Sequence, residues 1–194
     1  MSAPETEPGL RRRLVDTGVE LLAAEGAQAL TLREIARRAG VSHGAPRRYF
    51  PTHLELLSAI AREGFRELSA RASKAAGDGT AGDREQLTAL AEVYVEFALT
   101  HSGMHELMFR HDLLESGHLG LREASLPLFA RVTELVGRVR PDADARVLAG
   151  SLFANLYGVA QLWNWGSLGL ATGAEDITPV LRAALDAHLG PQAG

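Results

Sequence analysis

Between Thr31 and Phe50 the chain reads TLREIARRAGVSHGAPRRYF, and no other stretch constrains its fold as tightly. Leu32, Ile35, Ala36 and Ala39 recur at i, i+3, i+4 and i+7, one apolar face at helical period. Thr31 and Glu34 have the S/T-x-x-E spacing of a capping box, in which Thr31 caps the helix and Glu34 reaches back. Gly40 stands where the residue after a helix must turn left-handed. Val41 is the buried residue of the turn, and Ser42 is placed to cap a second helix. Upstream, Leu14, Gly18, Leu21 and Leu22 form another helical stripe that stops at Gly26. The pattern predicts three helices around a core of Leu14, Leu21, Leu32, Ile35, Val41 and Phe50. That is the outline of a helix-turn-helix, which places one helix in the major groove of DNA.

Charge supports the outline once it is divided along the chain. The net charge of −4 by itself argues against a nucleic-acid partner. From Leu10 to Leu54, however, eight Arg face four acids, whereas from Glu55 onward twelve basic residues face eighteen acids. A basic head that touches phosphate and an acidic body that does not would produce this asymmetry.

Other bounds are quickly set. A chain of 194 residues makes one ordinary domain or two small ones. With no Cys there is neither a disulfide framework nor a thiolate metal site. No apolar run reaches the roughly 18 residues that span a bilayer, and the polar start MSAPETEPG is unlike a signal peptide. The reading is a soluble, cytoplasmic chain with no membrane association. Beyond Phe50 the pattern is helical throughout: from Thr52 to about Ala76, Arg84–Thr100, Met104–Leu114, Leu119–Arg140 with a kink at Pro127, Asp142–Leu170, and Thr178–Leu189. Gly77–Asp83 is a polar break. The fold class is all-α with about nine helices.

At this point the residues carry a family resemblance. LLAAEG, TLREIARRAGVS, the recognition-helix ending YFP and the opening of a long helix, LELLSAIAREGF, occur in that order. The run from Leu14 to Gly64 resembles the N-terminal domain of TetR-family transcriptional regulators, and it covers about a third of the chain. The resemblance implies a tail over 1–9, a helix-turn-helix DNA-binding domain over 10–54 and a helical ligand-binding and dimerisation domain over 55–190. It implies no enzymatic activity and no cofactor. The partners it implies are a palindromic double-stranded DNA operator, a second copy of the chain and a small-molecule effector.

The recognition helix departs from the family's habit of Leu-Tyr-x-His-Phe followed by a Lys. Here the same positions hold Pro46, Arg47, Arg48, Tyr49 and Phe50, with His53 in place of the Lys. Arg47 offers a guanidinium fork to phosphate, Tyr49 a hydroxyl, and His53 a cation when protonated. Thr31 and Ser42 can bond phosphate through hydroxyl or helix N-terminus, and Arg33 joins this DNA-facing set. His43, Gly44 and Ala45 start the helix, the end that meets base edges. His43 can donate to guanine, Ala45 can touch a thymine methyl, and Arg48 can fork onto guanine. Pro46 would sit at the fourth helical position if Ser42 were the cap, forfeiting an intrahelical bond and shortening or tilting the helix.

In the body, the large apolar side chains and helix-borne amides nominate a ligand pocket of Phe65, Tyr94, Phe97, Met104, Met108, Phe109, Phe129, Asn155, Tyr157 and Trp163. The last two long helices carry Ala149, Gly150, Ala154, Gly158 and Ala160, whose small size permits close helix approach in a dimer. SLFANLYGVAQLW also resembles one subgroup with Trp-x-x-x-His-Gly, matched outright only at Gly158. A rival reading starts from His101 and His105 at i, i+4, with His111, Asp112 and His118 following. It would make the chain a metal-responsive regulator or, more remotely, a metal-dependent hydrolase. There is no H-E-x-x-H motif, and Ser102-Gly103 reads as a helix break.

Overall fold

The computed structural model describes residues 7–77 and 80–191. Among the described residues every regular element is helical, with eleven α-helices and two 3-10 turns, so the all-α expectation holds. Of the tail expected over 1–9, residues 1–6 lie outside the described residues, and α1 (Glu7–Glu25) already includes positions 7–9. The expected break at Gly77–Asp83 follows the end of α4 (His53–Ala75), and its residues 78–79 also lie outside the described residues.

The chain gathers into two compact units. The first comprises residues through Arg66 together with Gly103–Ala124, and the second comprises Glu67–Ser102 with the chain from Ser125 onward.

In the first unit, α1 packs on α2 (Leu32–Arg38) and α3 (Ala45–Tyr49). Leu14, Leu21, Ile35 and Phe50 are fully buried, as their spacing predicts. Leu32 and Val41 are only half-buried, because they cap the edge of this small core. The Thr31 hydroxyl accepts from the Glu34 amide at 3.1 Å, giving one half of the expected capping box. The other half does not form. The Thr31 amide donates to the Ala29 carbonyl, and the Glu34 carboxylate accepts from Arg37 and Arg38 instead. Gly40 turns at φ 67, and Val41 N–H reaches back to the Ala36 carbonyl at 3.0 Å. This six-to-one bond closes a Schellman motif and needs the left-handed residue.

The second helix opens later than a cap at Ser42 requires. Ala45 N–H donates to the Ser42 carbonyl at 2.9 Å in a tight turn, and α3 starts at Ala45. Pro46 is the reason. A helix capped by Ser42 would need an amide hydrogen at Pro46, whereas in the first turn of α3 the missing donor breaks no bond. The recognition helix is therefore five residues long.

Residues 103–124 join this unit by close packing. A Cβ at Gly64 would lie 2.5 Å from Met108 Sδ and 2.7 Å from Met104 Cγ, so glycine is what lets α6 (Ser102–Met108) lie against α4. The expected helix over Met104–Leu114 divides at Arg110, which is extended and pairs with Asp112. There α6 gives way to α7 (His111–Ser116). A 3-10 turn follows at His118–Gly120, with Leu119 at φ 56, a left-handed conformation strained for a branched residue.

The second unit is a mutual packing of α5 (Asp83–Thr100), α9 (Ala145–Asn164) and α11 (Thr178–Leu189). An Arg84–Asp186 ion pair at 2.5 Å ties α5 to α11. The helix α8 (Leu121–Val139) runs continuously with Pro127 inside it. It is joined to α5 by Arg131 to Gln86 at 2.7 Å and Arg138 to Asp83 at 2.8 Å. Asp144 caps α9, accepting from the amides of Arg146 and Val147. The helix expected over Asp142–Leu170 splits because Gly166 adopts φ 75, and α10 (Ser167–Thr172) then packs on α9.

Candidate nucleic-acid interface

The DNA-facing residues nominated from sequence all lie on one continuous stretch of the first unit, from the start of α2 to the start of α4. Thr31, Arg33, Ser42, His43, Gly44, Arg47, Arg48 and His53 are exposed, and Ala45 and Tyr49 are half-buried. Between the two arginines and the body of the unit, Pro46 and Phe50 are buried and seat α3 against its neighbours. Arg47 and Arg48 therefore project from a helix whose opposite side is fixed.

Ion pairing sorts the arginines of this head into two groups. Arg37 and Arg38 both bind Glu34, and Arg38 also pairs with Glu25. Hydrogen bonds from Arg37 and then Arg38 hold the Glu34 carboxyl down at about 2, so the cluster stays ionised and its charge is internally balanced. Arg12 is likewise matched by Asp16 at 2.8 Å. Arg33, Arg47 and Arg48 have no acidic partner among the described residues. On α2 and α3 these three carry uncompensated charge of the kind that a phosphate backbone attracts.

His53 has a more constrained role than a solvent-facing cation. Its Nε2 donates to the Leu30 carbonyl, which fixes the tautomer and ties the start of α4 to the end of the turn after α1. Only Nδ1 is then left to meet a phosphate, as a donor if the ring is protonated. Next to it Thr52 caps α4, accepting from the Glu55 amide at 3.2 Å.

The nominated pocket residues divide between the units. Phe65, Met104 and Met108 are buried in the first unit, and Phe109 meets Phe65 edge-on at 5.6 Å between ring centroids. The second unit holds Tyr94, Phe97, Phe129, Asn155, Tyr157 and Trp163. Of these, Tyr94 and Phe97 are buried, Phe129, Tyr157 and Trp163 half-buried, and Asn155 exposed. A sub-cluster does converge. The Tyr94 and Phe153 rings lie 5.8 Å apart, Phe153 and Tyr157 lie 6.3 Å apart, and Gln161 donates to the Tyr157 hydroxyl at 3.3 Å. Burial, with the Tyr157 hydroxyl adding to it, pushes the Tyr94 hydroxyl well above its ordinary range, so Tyr94 stays neutral. Asn164, a further amide on α9, donates to the Ala98 carbonyl at 3.1 Å.

The metal reading is corrected. Among the described residues no three His, Asp or Glu side chains converge to hold an ion. The i, i+4 pair fails because α5 ends at Thr100 and α6 begins at Ser102. His101 stacks on Phe97 at 5.0 Å, His105 is fully buried edge-on to Phe109, and His111 lies on the surface beside Glu115. The sequence signals this separation through Ser102-Gly103, which reads as a helix break, and the observed boundary falls one residue earlier, at His101.

Sequence reasoning missed a different feature of the first unit. Arg11, Arg12, Arg62 and Arg66 line a common crevice. Their paired spacings, adjacent on α1 and i, i+4 on α4, were a usable signal, but only the packing of α1 beside α4 joins them.

Two family models cover most of the chain. Residues 14–60 match that of bacterial regulatory proteins of the tetR family, and residues 87–188 match the tetracyclin repressor-like C-terminal domain. The HTH-type transcriptional regulator BetI of Cronobacter sakazakii is 30% identical over 158 residues, covering 79% of this chain and 78% of that one. The BetI regulator of Rhizobium meliloti is 38% identical over 90 residues, covering 45% of this chain and 42% of that one, so this match spans less than half the relative's length. A solved structure of a protein of unknown function from Rhodococcus sp. RHA1 superposes with a TM-score of 0.80 at 30% identity, covering 97% of each chain.

Proposed function

Because the chain belongs to the TetR family of bacterial regulatory proteins, and is on that ground a DNA-binding transcriptional regulator and not an enzyme, we propose that it works as a homodimeric repressor. It sits on a palindromic operator in the cytoplasm and leaves when a small, largely apolar effector binds. In this reading residues 10–54 are the DNA-binding domain and 55–190 the ligand-binding and dimerisation domain. Among the described residues no helix is long and apolar enough to cross a membrane.

The observation that carries the reading is the trio of exposed, acid-free arginines, Arg33, Arg47 and Arg48, two of them on a short helix anchored by Pro46 and Phe50. Arg47 serves the phosphates together with Thr31, Arg33, Ser42, Tyr49 and His53. Arg48 and His43, with Gly44 and Ala45, face base edges.

Dimer formation is supported by an apolar stripe along α9. Val147 is 69% exposed and Trp165 is 73% exposed, and five helical turns separate them on one face with Ala154 and Gly158 between. Leu162 and, on α10, Leu170 are further large apolar side chains left exposed. Of the small residues expected to allow close approach, Ala154 is exposed and Gly150 and Gly158 are half-buried. Ala149 and Ala160 are spent inside the unit's own core. For the effector, the Tyr94–Phe153–Tyr157 cluster offers aromatic walls with one polar handle at Gln161, a composition suited to a mostly apolar molecule. An effector that binds the DNA-incompetent state better shifts the population away from the ~34–36 Å separation of recognition helices that successive major grooves require.

A salt-series titration on an operator selected from random duplexes tests this. Two chains should bind each palindrome. Arg47→Ala should weaken binding and reduce the slope of log K against log salt by about one phosphate contact. Unchanged affinity and slope would remove Arg47 from the phosphate set, and one chain per site would remove the dimer. Arg48→Ala should instead relax the preference at one base position, worth about 1–3 kcal/mol of discrimination. A selection with the variant that returns the same consensus at the same stringency rules that role out.

A further inference from the structure

The first unit holds a crevice of about 300 Å³, the small end of the range for metabolite sites, remote in sequence from the recognition helix. Four arginines and one acid line it: Arg11 and Arg12 from α1, and Arg62, Glu63 and Arg66 from α4. Their neutralisation is unequal. Arg12 is matched by Asp16 at 2.8 Å, and Arg66 by Glu63 at 2.8 Å. Among the described residues no carboxylate pairs with Arg11 or Arg62. The Arg11 guanidinium lies over the Phe50 ring at 5.0 Å, and Arg62 Nη1 donates to the Leu119 carbonyl at 3.1 Å. Each of these contacts orients a guanidinium and leaves its charge in place. Arg62 retains its remaining N–H donors, and Arg11 retains all of its own.

Three elements thus bring two uncompensated, pre-oriented cations to one recess, with Val15 and Ala59 supplying apolar wall. Holding like charges together is unfavourable unless an anion joins them, and planar forks of this kind suit carboxylate or phosphate oxygens. The strained turn at Leu119 adds to the picture, because the carbonyl of this left-handed residue is what positions Arg62. We propose that this crevice is a binding site for a small dianion, a phosphate-bearing or dicarboxylate metabolite, held between Arg11 and Arg62. It is a second ligand site, within the unit that carries the recognition helix and independent of the effector reading for the body. A bound dianion would fasten α1 and α4 to the turn at 118–120.

The test is the melting temperature of the full chain in sodium pyrophosphate and in sodium succinate, each against sodium chloride at equal ionic strength. Wild type should show a saturable rise of roughly 3–5 °C at ten times the dissociation constant. A response to pyrophosphate alone, a polyanion at neutral pH, identifies a phosphate-bearing ligand, and a response to both identifies a site that takes phosphate and carboxylate alike. Either result supports the site when the rise is lost in Arg62→Gln, which keeps a donor for the Leu119 carbonyl, and in Arg11→Gln. Arg146→Gln, an exposed arginine on α9, should keep the full rise. Broadening of the pyrophosphate ³¹P resonance by wild type, absent with Arg62→Lys, gives a readout that does not depend on variant stability. An equal rise in Arg62→Gln, or one that never saturates, overturns the proposal in favour of general salt stabilisation. Weaker operator binding with a lower salt slope for Arg62→Gln in chloride buffer free of phosphate and carboxylates overturns it in favour of a DNA phosphate contact.

Discussion

Phe50→Ala should lower the unfolding free energy by about 3–5 kcal/mol, the range for removing a fully buried aromatic. Phe50 is the C-cap residue of α3, has no exposed surface and lies under the Arg11 guanidinium at 5.0 Å. Its ring is one of the few large groups filling the space among α1, α2 and α3. A five-residue helix has no stability of its own and holds its shape only while such contacts persist. Operator binding should therefore fall with stability, although Phe50 is buried away from DNA. Urea unfolding followed by helical circular dichroism, with operator binding measured in parallel, checks both effects. An unfolding free energy within about 0.5 kcal/mol of wild type would mean that the head relaxes around the cavity and that the core is not organised by this ring.

Acid should remove a comparable amount of stability through a single residue. His105 is fully buried on α6, edge-on to Phe109, and burial pushes its imidazole down to about 4. In the unfolded chain the same ring titrates near ~6.5. Between these values the unfolded state binds a proton that the folded state refuses, so stability drops as pH falls from about 6.5 to about 4 and the effect levels off below that. At 1.36 kcal/mol per unit the loss attributable to His105 is roughly 3 kcal/mol. Carboxylates such as Glu34, held at about 2 by Arg37 and Arg38, lose their contribution only at lower pH. The measurement is the stability difference between wild type and His105→Leu across pH 7 to 4. It should change in favour of the leucine variant by that amount, whereas a flat difference would show that the protonated ring finds solvent or an anion.

How much of this was legible in the chain depends on the range of the interaction concerned. Thr31, Ile35, Gly40 and Phe50 stand where local periodicity and turn chemistry place them, and the Schellman closure through Val41 follows from one left-handed glycine. The capping box was half right because a short-range rule competes with tertiary partners. Glu34 had two arginines within reach, and the Thr31 amide had already found Ala29. Pro46 was recognised as awkward, yet the remedy, a tight turn that delays the helix to Ala45, depends on which carbonyl the next amide can reach. For the histidines, the helix break read at Ser102-Gly103 is a sounder guide than their spacing. His101 and His105 are separated by a helix boundary, so four residues no longer mean one face.

The amino-acid order alone determined the helix-turn-helix, the all-helical body and the basic head. Each is written in spacings of three and four residues or in charge counts over a few dozen, and backbone sterics act at that range. Tertiary structure decided how the remaining arginines are oriented. Arg37, Arg38, Arg12 and Arg66 each have an acid three or four residues away on their own helix, so their neutralisation is already written in the sequence. What only folding adds is Glu25 at Arg38, Phe50 under Arg11 and the Leu119 carbonyl at Arg62. These contacts join residues far apart in the chain, and their free energy exists only after the loops between them have been closed.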